Sequence, residues 1–254
     1  MAKQSGLHQI RGKVGEYSYY RQSGVSAGLI RQINQGMSQR VKTGEEYANT
    51  RLNNAEFGHA CAIAGVLGKT VSPKFRPMML KFSQSKMAKV ILDVIKRQTG
   101  NWGQRSLPAG TAGRQVLIDA LASVRKNDPT EYGITIEASV SSVDITTDNS
   151  VSSAKLSAIG ADTFLITVVR NNVQVGNYVA ALGGYEYSYR VWNTDTGELD
   201  VDSTLSLSVT TPQLPVPSEG HANLFGLDVV VIMPVRVVNN ENHILQEHCT
   251  YLIP

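Results

Sequence analysis

Asp128-Pro129-Thr130-Glu131-Tyr132-Gly133-Ile134-Thr135-Ile136-Glu137-Ala138-Ser139-Val140 is where the periodicity of the chain changes. Before it, apolar residues recur every three or four positions, as along one face of a helix. From Ile134 they alternate with Thr, Glu and Ser, as on one face of a strand. Downstream, Phe164 to Val169 and Val173 to Val175 flank Asn171-Asn172, which reads as a turn. Tyr185, Tyr187, Tyr189 and Val191 alternate ahead of Asp195-Thr196-Gly197, a second turn signal. Leu205, Leu207 and Val209 alternate again, and Leu227 to Val238 forms the last strong apolar run. Short strands between Gly/Asn/Asp turns predict an antiparallel β-sandwich or barrel over residues 129–254.

Working back from Pro129, three helices are expected over residues 43–128. Thr43-Gly44-Glu45-Glu46 has the pattern of a capping box, and Ala48, Leu52, Ala55, His59, Ala62 and Val66 fall on one helical face behind it. Gly68 reads as its C-terminal stop. Met87, Val90, Ile91, Val94 and Ile95 mark a second helix, closed by Gly100. Leu117, Ala120, Leu121 and Val124 mark a third, which ends before Asp128-Pro129. Their stripes are expected to bury against one another. Residues 1–42 read as an extended arm, with strand-like runs from Val14 to Tyr20 and Val25 to Ile30 around a Gln22-Ser23-Gly24 turn. The arm has four glycines in its first 24 residues and few large aliphatics, so it needs another surface to lie on. The expected class is α+β: an extended arm, a small helical region and an antiparallel β-sandwich-like domain.

The 254 residues carry a net charge of +3, which conceals a division. Residues 1–130 hold 20 Lys/Arg and 7 Asp/Glu, whereas residues 131–254 hold 4 and 14, giving balances of +13 and −10. Such asymmetry points to opposite partners, or to one half meeting the other half of a neighbouring copy. Two cysteines in opposite halves make no disulfide framework, and a reducing compartment is expected. Met1 to Gly6 lacks the apolar run of a secretory signal, and no stretch approaches the length of a membrane span.

Several motifs are present in pattern but lack context. Gly24-Val25-Ser26-Ala27-Gly28 matches a nucleophile elbow, yet no strand–helix alternation follows it. Gly65 to Thr70 resembles the end of a phosphate loop, but Ile63 stands where the first glycine is required. His243, His248 and Cys249 are close in sequence without a fourth ligand at a recognisable spacing. His59 reads as a hydrogen-bonded core histidine, and Cys61 as a packing residue. Asn193 to Asp202 is out of register for a calcium loop and reads as a hairpin turn with solvated carboxylates. No catalytic, cofactor-binding or metal-binding residues are expected, and an enzyme is not.

What remains is a candidate subunit interface. Arg11, Lys13, Tyr17, Tyr19, Tyr20, Arg21 and Arg31 interleave cations with aromatics, and Asp195, Glu198, Asp200 and Asp202 supply an acidic counterpart. Tyr and Arg are common interface anchors. The same mixture also suits phosphates and stacked bases, so a nucleic-acid-binding architectural or packaging protein is the alternative. A further alternative is a receptor- or carbohydrate-binding β module, with Tyr185, Tyr187, Tyr189 and Trp192 as a stacking platform.

Gly12-Lys13-Val14-Gly15, then Tyr19-Tyr20-Arg21, then Ala48 to Phe57 with Asn49, Arg51, Asn53 and Asn54, together with Pro73-Lys74-Phe75-Arg76-Pro77, resemble virion proteins of crAss-like tailed bacteriophages. The resemblance covers residues 1–110. It implies a ring-forming component of the head–tail connector or tail, located in the virion and assembled in the host cytoplasm. It also implies a homo-oligomer that contacts other virion proteins, such as portal or neighbouring ring and tail proteins. DNA contact would be transient and non-specific, with no membrane and no catalytic residues to carry over.

Overall fold

The computed structural model describes residues 2–4, 12–20, 28–32, 36–71, 78–213 and 222–254. It belongs to the α+β class, with antiparallel sheets in a sandwich-like arrangement. Two compact units divide it, Met1–Leu52 and Asn53–Pro254.

The first unit carries four short strands, β1 (Ala2–Gln4), β2 (Gly12–Val14), β3 (Tyr17–Tyr20) and β4 (Gly28–Gln32), in the antiparallel order β1-β4-β3-β2. The expected run from Val14 to Tyr20 is broken at Gly15, whose φ of +56° makes a tight hairpin between β2 and β3. Tyr17–Tyr20 does pair with Gly28–Gln32, as a hairpin reading requires, whereas the expected turn at 22–24 lies outside the described residues. A short helix α1 (Met37–Thr43) replaces extended chain at the end of the arm. Thr43 is therefore the last residue of α1 and not a helix cap; its hydroxyl donates to the Gln39 carbonyl at 3.0 Å. Arg51 closes α1 by donating to the carbonyls of Val41 (3.0 Å) and Gly44 (2.7 Å).

Helix α2 (Ala48–Thr70) starts in the first unit and runs past Gly68, the expected stop. Its buried face is Glu56, His59, Ala60, Ile63, Ala64 and Leu67, and of the expected stripe only His59 is buried. The charged Glu56 at the head of the true stripe disguised it. Gly65 and Gly68 lie within the helix, where a Cβ would meet Gln84 Nε2 at 3.3 Å and Met87 Cε at 3.6 Å. They let α3 (Ser83–Ile95) approach closely, which accounts for the glycines without a phosphate loop. Helix α4 (Gly110–Ala122) follows with Leu117, Ala120 and Leu121 buried as expected, and Ile91 and Ile95 are buried on α3.

After Pro129 come β5 (Ile134–Ala138), β6 (Ser142–Thr147), α5 (Asn149–Ile159) and β7 (Thr163–Gly176). The short pair β8 (Tyr178–Val179) and β9 (Gly184–Tyr185) precedes β10 (Tyr189–Leu199) and β11 (Thr204–Ser208). β12 (Ala222–Val238), β13 (Glu241–Ile244) and β14 (Thr250–Leu252) complete the chain. The main sheet has the order β10-β7-β12-β13, with β14 also on β12; a smaller one has the order β11-β6-β5.

Three expectations for this half are corrected. Helix α5 interrupts a stretch expected to be all β; the Asp148 side chain caps it by accepting from Ser150 and Val151 N–H, and Gly160 ends it at φ +66°. Asn171-Asn172 is not a turn, because β7 runs straight through it. There Asn171 donates to the carbonyls of Val169 (3.0 Å) and Leu227 (3.3 Å), so the buried amide has partners. Asp195-Thr196-Gly197 is not a turn either; the chain reverses at Asp200–Ser203 instead. Gly197 stays in the strand because a Cβ there would sit 2.8 Å from Leu205 Cδ1.

Alternation along β7 and β12 divides their side chains between two cores. Val169, Val173, Phe225, Leu227, Val229 and Val231 pack with α2, α3 and α4 in one hydrophobic cluster. Phe164, Ile166, Val168, Val230 and Ile232 pack with β6, β11 and Leu156 of α5 in the other. The expected helices thus bury their stripes against one another and, through α4, on the main sheet. Arg114 ties α4 to the carbonyls of Gly226 (3.0 Å) and Pro254 (2.8 Å), and the Tyr251 hydroxyl donates to Leu121 O at 2.7 Å.

Candidate subunit interface

Strand β10 carries the acidic half of the expected interface. It is an outer strand of the main sheet, and among the described residues it pairs only with β7. Alternation puts Arg190, Trp192, Thr194, Thr196 and Glu198 on one face, and Val191, Asn193, Asp195 and Gly197 on the other, toward β11. Thr196 and Thr167 face each other with hydroxyls 3.0 Å apart, while the Thr196 N–H donates to the Asp195 carboxylate at 2.9 Å. An N–H engaged beside its own strand is one not directed at β7, so the even-numbered residues of β10 present N–H and C=O groups outward.

The expected carboxylates are spread along this strand and the turn after it. Glu198 accepts from Asn242 Nδ2 at 2.6 Å, and Asp200 accepts from the Thr163 hydroxyl at 2.9 Å. Asp202 occupies the turn at φ +68°, exposed. Asp195, Glu198 and Asp200 each hold a local partner, so these carboxylates help shape the strand and turn as well as charging them. Trp192 is 52% exposed, with the Arg190 guanidinium 3.9 Å from its ring centre. Arg190 also donates to Asn171 at 3.1 Å, so the one cation on β10 is turned back onto its own sheet.

The basic half is divided. Lys13 is exposed on β2, and Arg31 is exposed on β4 with its guanidinium 5.6 Å from the Tyr20 ring. Tyr17 and Tyr19 lie on β3, where Val14 pairs with Tyr17; both side chains of that pair are exposed, at 54% and 46%. Arg11 and Arg21 lie outside the described residues.

Sequence reasoning missed two buried ionic sites. Glu56 of α2, wholly buried, takes two hydrogen bonds of 2.8 Å from Arg105 and one of 2.9 Å from Gly103 N–H. Burial opposes its charge, but the Arg105 and Gly103 hydrogen bonds outweigh burial and hold the carboxyl below its ordinary range. One turn on, His59 is buried and stacks flat on Tyr185, ring centres 4.0 Å apart, while the Tyr185 hydroxyl donates to Arg105 O at 2.8 Å. The expected hydrogen bond to His59 is not seen at Nε2, which has no partner, and burial pushes its pKa down to about 4. Across the main sheet Arg170 pairs with Asp228 through two 2.9 Å bonds and donates to the carbonyls of Ser139, Val140 and Val209. It clamps the hairpin end of the smaller sheet, where β5 turns into β6 beside the end of β11. No spacing rule signals such sites, because their partners lie 30 to 58 residues away in sequence.

The remaining candidates do not converge. Tyr185 is half-buried against His59, Tyr187 is 87% exposed, and Trp192 lies on β10, so the expected stacking platform does not form. His243 lies on β13, whereas Cys249 is buried with its thiol toward Leu245 O. No group of three metal-ligating side chains occurs among the described residues, and none of their helices is long and apolar enough to cross a membrane. Comparison of the chain with protein-family models, curated proteins and solved structures finds no match.

Proposed function

We propose that this chain is a non-catalytic structural subunit of a tailed-phage virion, assembling with further copies of itself into a ring of the head–tail connector or tail. The observation that carries the reading is the contrast between a well-packed unit bearing a long acidic outer strand and a small basic unit with one large buried aliphatic, Leu29, among its described residues. A closed head-to-tail ring requires two different, complementary surfaces on each subunit. The basic small unit and the acidic run of Asp195, Glu198, Asp200 and Asp202 supply such a pair and would fix the register of their contact. The resemblance of the Gly12 to Arg21 and Ala48 to Phe57 segments to crAss-like phage virion proteins supports the virion setting.

Electron microscopy of the purified full chain tests this: closed rings of uniform size are expected, and a monomer at every concentration would overturn it. Nucleic-acid binding is the competing reading, favoured by the eight Lys/Arg against three Asp/Glu in residues 1–52. That reading requires binding to DNA that weakens steeply with salt.

A further inference from the structure

Resting on the ring reading, we infer that β10 is an acceptor edge, to which strand β2 of a neighbouring copy adds antiparallel or parallel to extend the main sheet.

Natural sheets guard their outer strands by keeping them short, by placing Lys or Pro on them, by bulges or by a cover. The opposite side of the main sheet follows this practice, since β12 is flanked there by strands of four and three residues. β10 does not. It is eleven residues long, contains neither Lys nor Pro, and is rich in Thr and aromatic residues that favour extended chain. Its even-numbered backbone groups point outward; the Thr196 N–H is taken by the Asp195 carboxylate at 2.9 Å, and an added strand would meet those of Trp192 and Thr194, whose side chains are exposed beside them.

The occupant follows from charge and alternation. A second β10 added antiparallel would close a two-fold dimer instead of a ring, and would leave Asp195 without a cation opposite it, since Arg190 lies on the other face of the strand. Among the described residues β2 is the outer strand of the N-terminal sheet, and all three of its residues are exposed. In an added strand with Lys13 on the Asp195 face, Val14 necessarily falls on the Trp192 face. Cation then meets carboxylate on one side, and Val14 with its cross-strand partner Tyr17 meets the exposed indole on the other. Main-chain hydrogen bonds supply affinity and the alternating side chains supply register.

The test uses the full chain with Thr194→Pro, which removes one outward N–H and leaves the ladder to β7 intact. The expected result is a protein with unchanged far-ultraviolet dichroism whose assembly is about 30-fold weaker by mass photometry, the loss of one interface anchor. Asp195→Lys should weaken assembly likewise, and adding Lys13→Glu to the same chain should restore it. If Thr194→Pro assembles as the parent does, the acceptor edge is wrong while the ring reading stands. If the parent never assembles, both fail. Should Thr194→Pro not fold, hydrogen exchange on the parent decides: the Trp192 and Thr194 amides must become protected on assembly, and unchanged exchange overturns the inference.

Discussion

The two units of this chain are stabilised by different means. Asn53–Pro254 buries two hydrophobic clusters, one on each face of β7 and β12, and pins them with Glu56–Arg105 and Arg170–Asp228. Met1–Leu52 has a four-stranded sheet of short strands and a single large buried aliphatic among its described residues. The ion pair Arg40–Glu46 in this unit is exposed on both sides and adds little. On the ring reading, the smaller unit would gain order from a neighbouring copy, as few of its described residues are buried. Substitutions should therefore separate cleanly into those that unfold the large unit and those that impair assembly alone.

The largest effect is expected at Arg170. Arg170→Met leaves Asp228 and three carbonyls without their donor inside the sandwich, and should cost about 3–5 kcal/mol in denaturant unfolding. A loss below 1 kcal/mol would mean that the clamp is dispensable. Ile91→Ala empties a fully buried site under α2 and should cost about 2–5 kcal/mol. Leu29→Ala, in the small unit, should by contrast leave the main unfolding transition unmoved.

His59 sharpens the contrast through pH. Its folded pKa, about 4, lies below the ordinary 6.5, so the unfolded chain binds the proton first as pH falls. Stability is then complete above pH 6.5 and declines toward pH 4, by at most about 1.4 kcal/mol per pH unit. Glu56, with a depressed pKa, contributes fully above its ordinary value of 4.5 and is lost only as pH falls below that. The slope between pH 6.5 and 5 therefore belongs to His59. His59→Phe keeps the stack on Tyr185 and should flatten that slope; an unchanged slope would assign it elsewhere.

Charge changes in the small unit should move stability least. Lys13 is exposed, so Lys13→Glu should change unfolding stability by under about 0.5 kcal/mol while weakening assembly.

The class of fold was legible because periodicity reports burial directly, and the switch from helix to strand at Pro129 is real. Its details were lost where polar residues do structural work. Glu56 heads the buried face of α2, Asn171 and Asn172 continue a strand, and Gly197 makes room for Leu205. Each of these residue types signals a surface or a turn when only its neighbours in sequence are visible. Helix α5 escaped notice because its serine-rich sequence buries only Ser152 and Leu156, although Asp148 and Gly160 mark its ends. The acidic stretch was visible as charge, but its role as an outer strand became apparent only from the pairing of β10 with β7 alone.

Native mass spectrometry of the full chain beside a chain lacking residues 1–42 tests the central claim most directly. The account predicts a closed oligomer of fixed copy number for the full chain, and a folded monomer with an unaltered main unfolding transition for the truncated one. Equal masses for the two would contradict it.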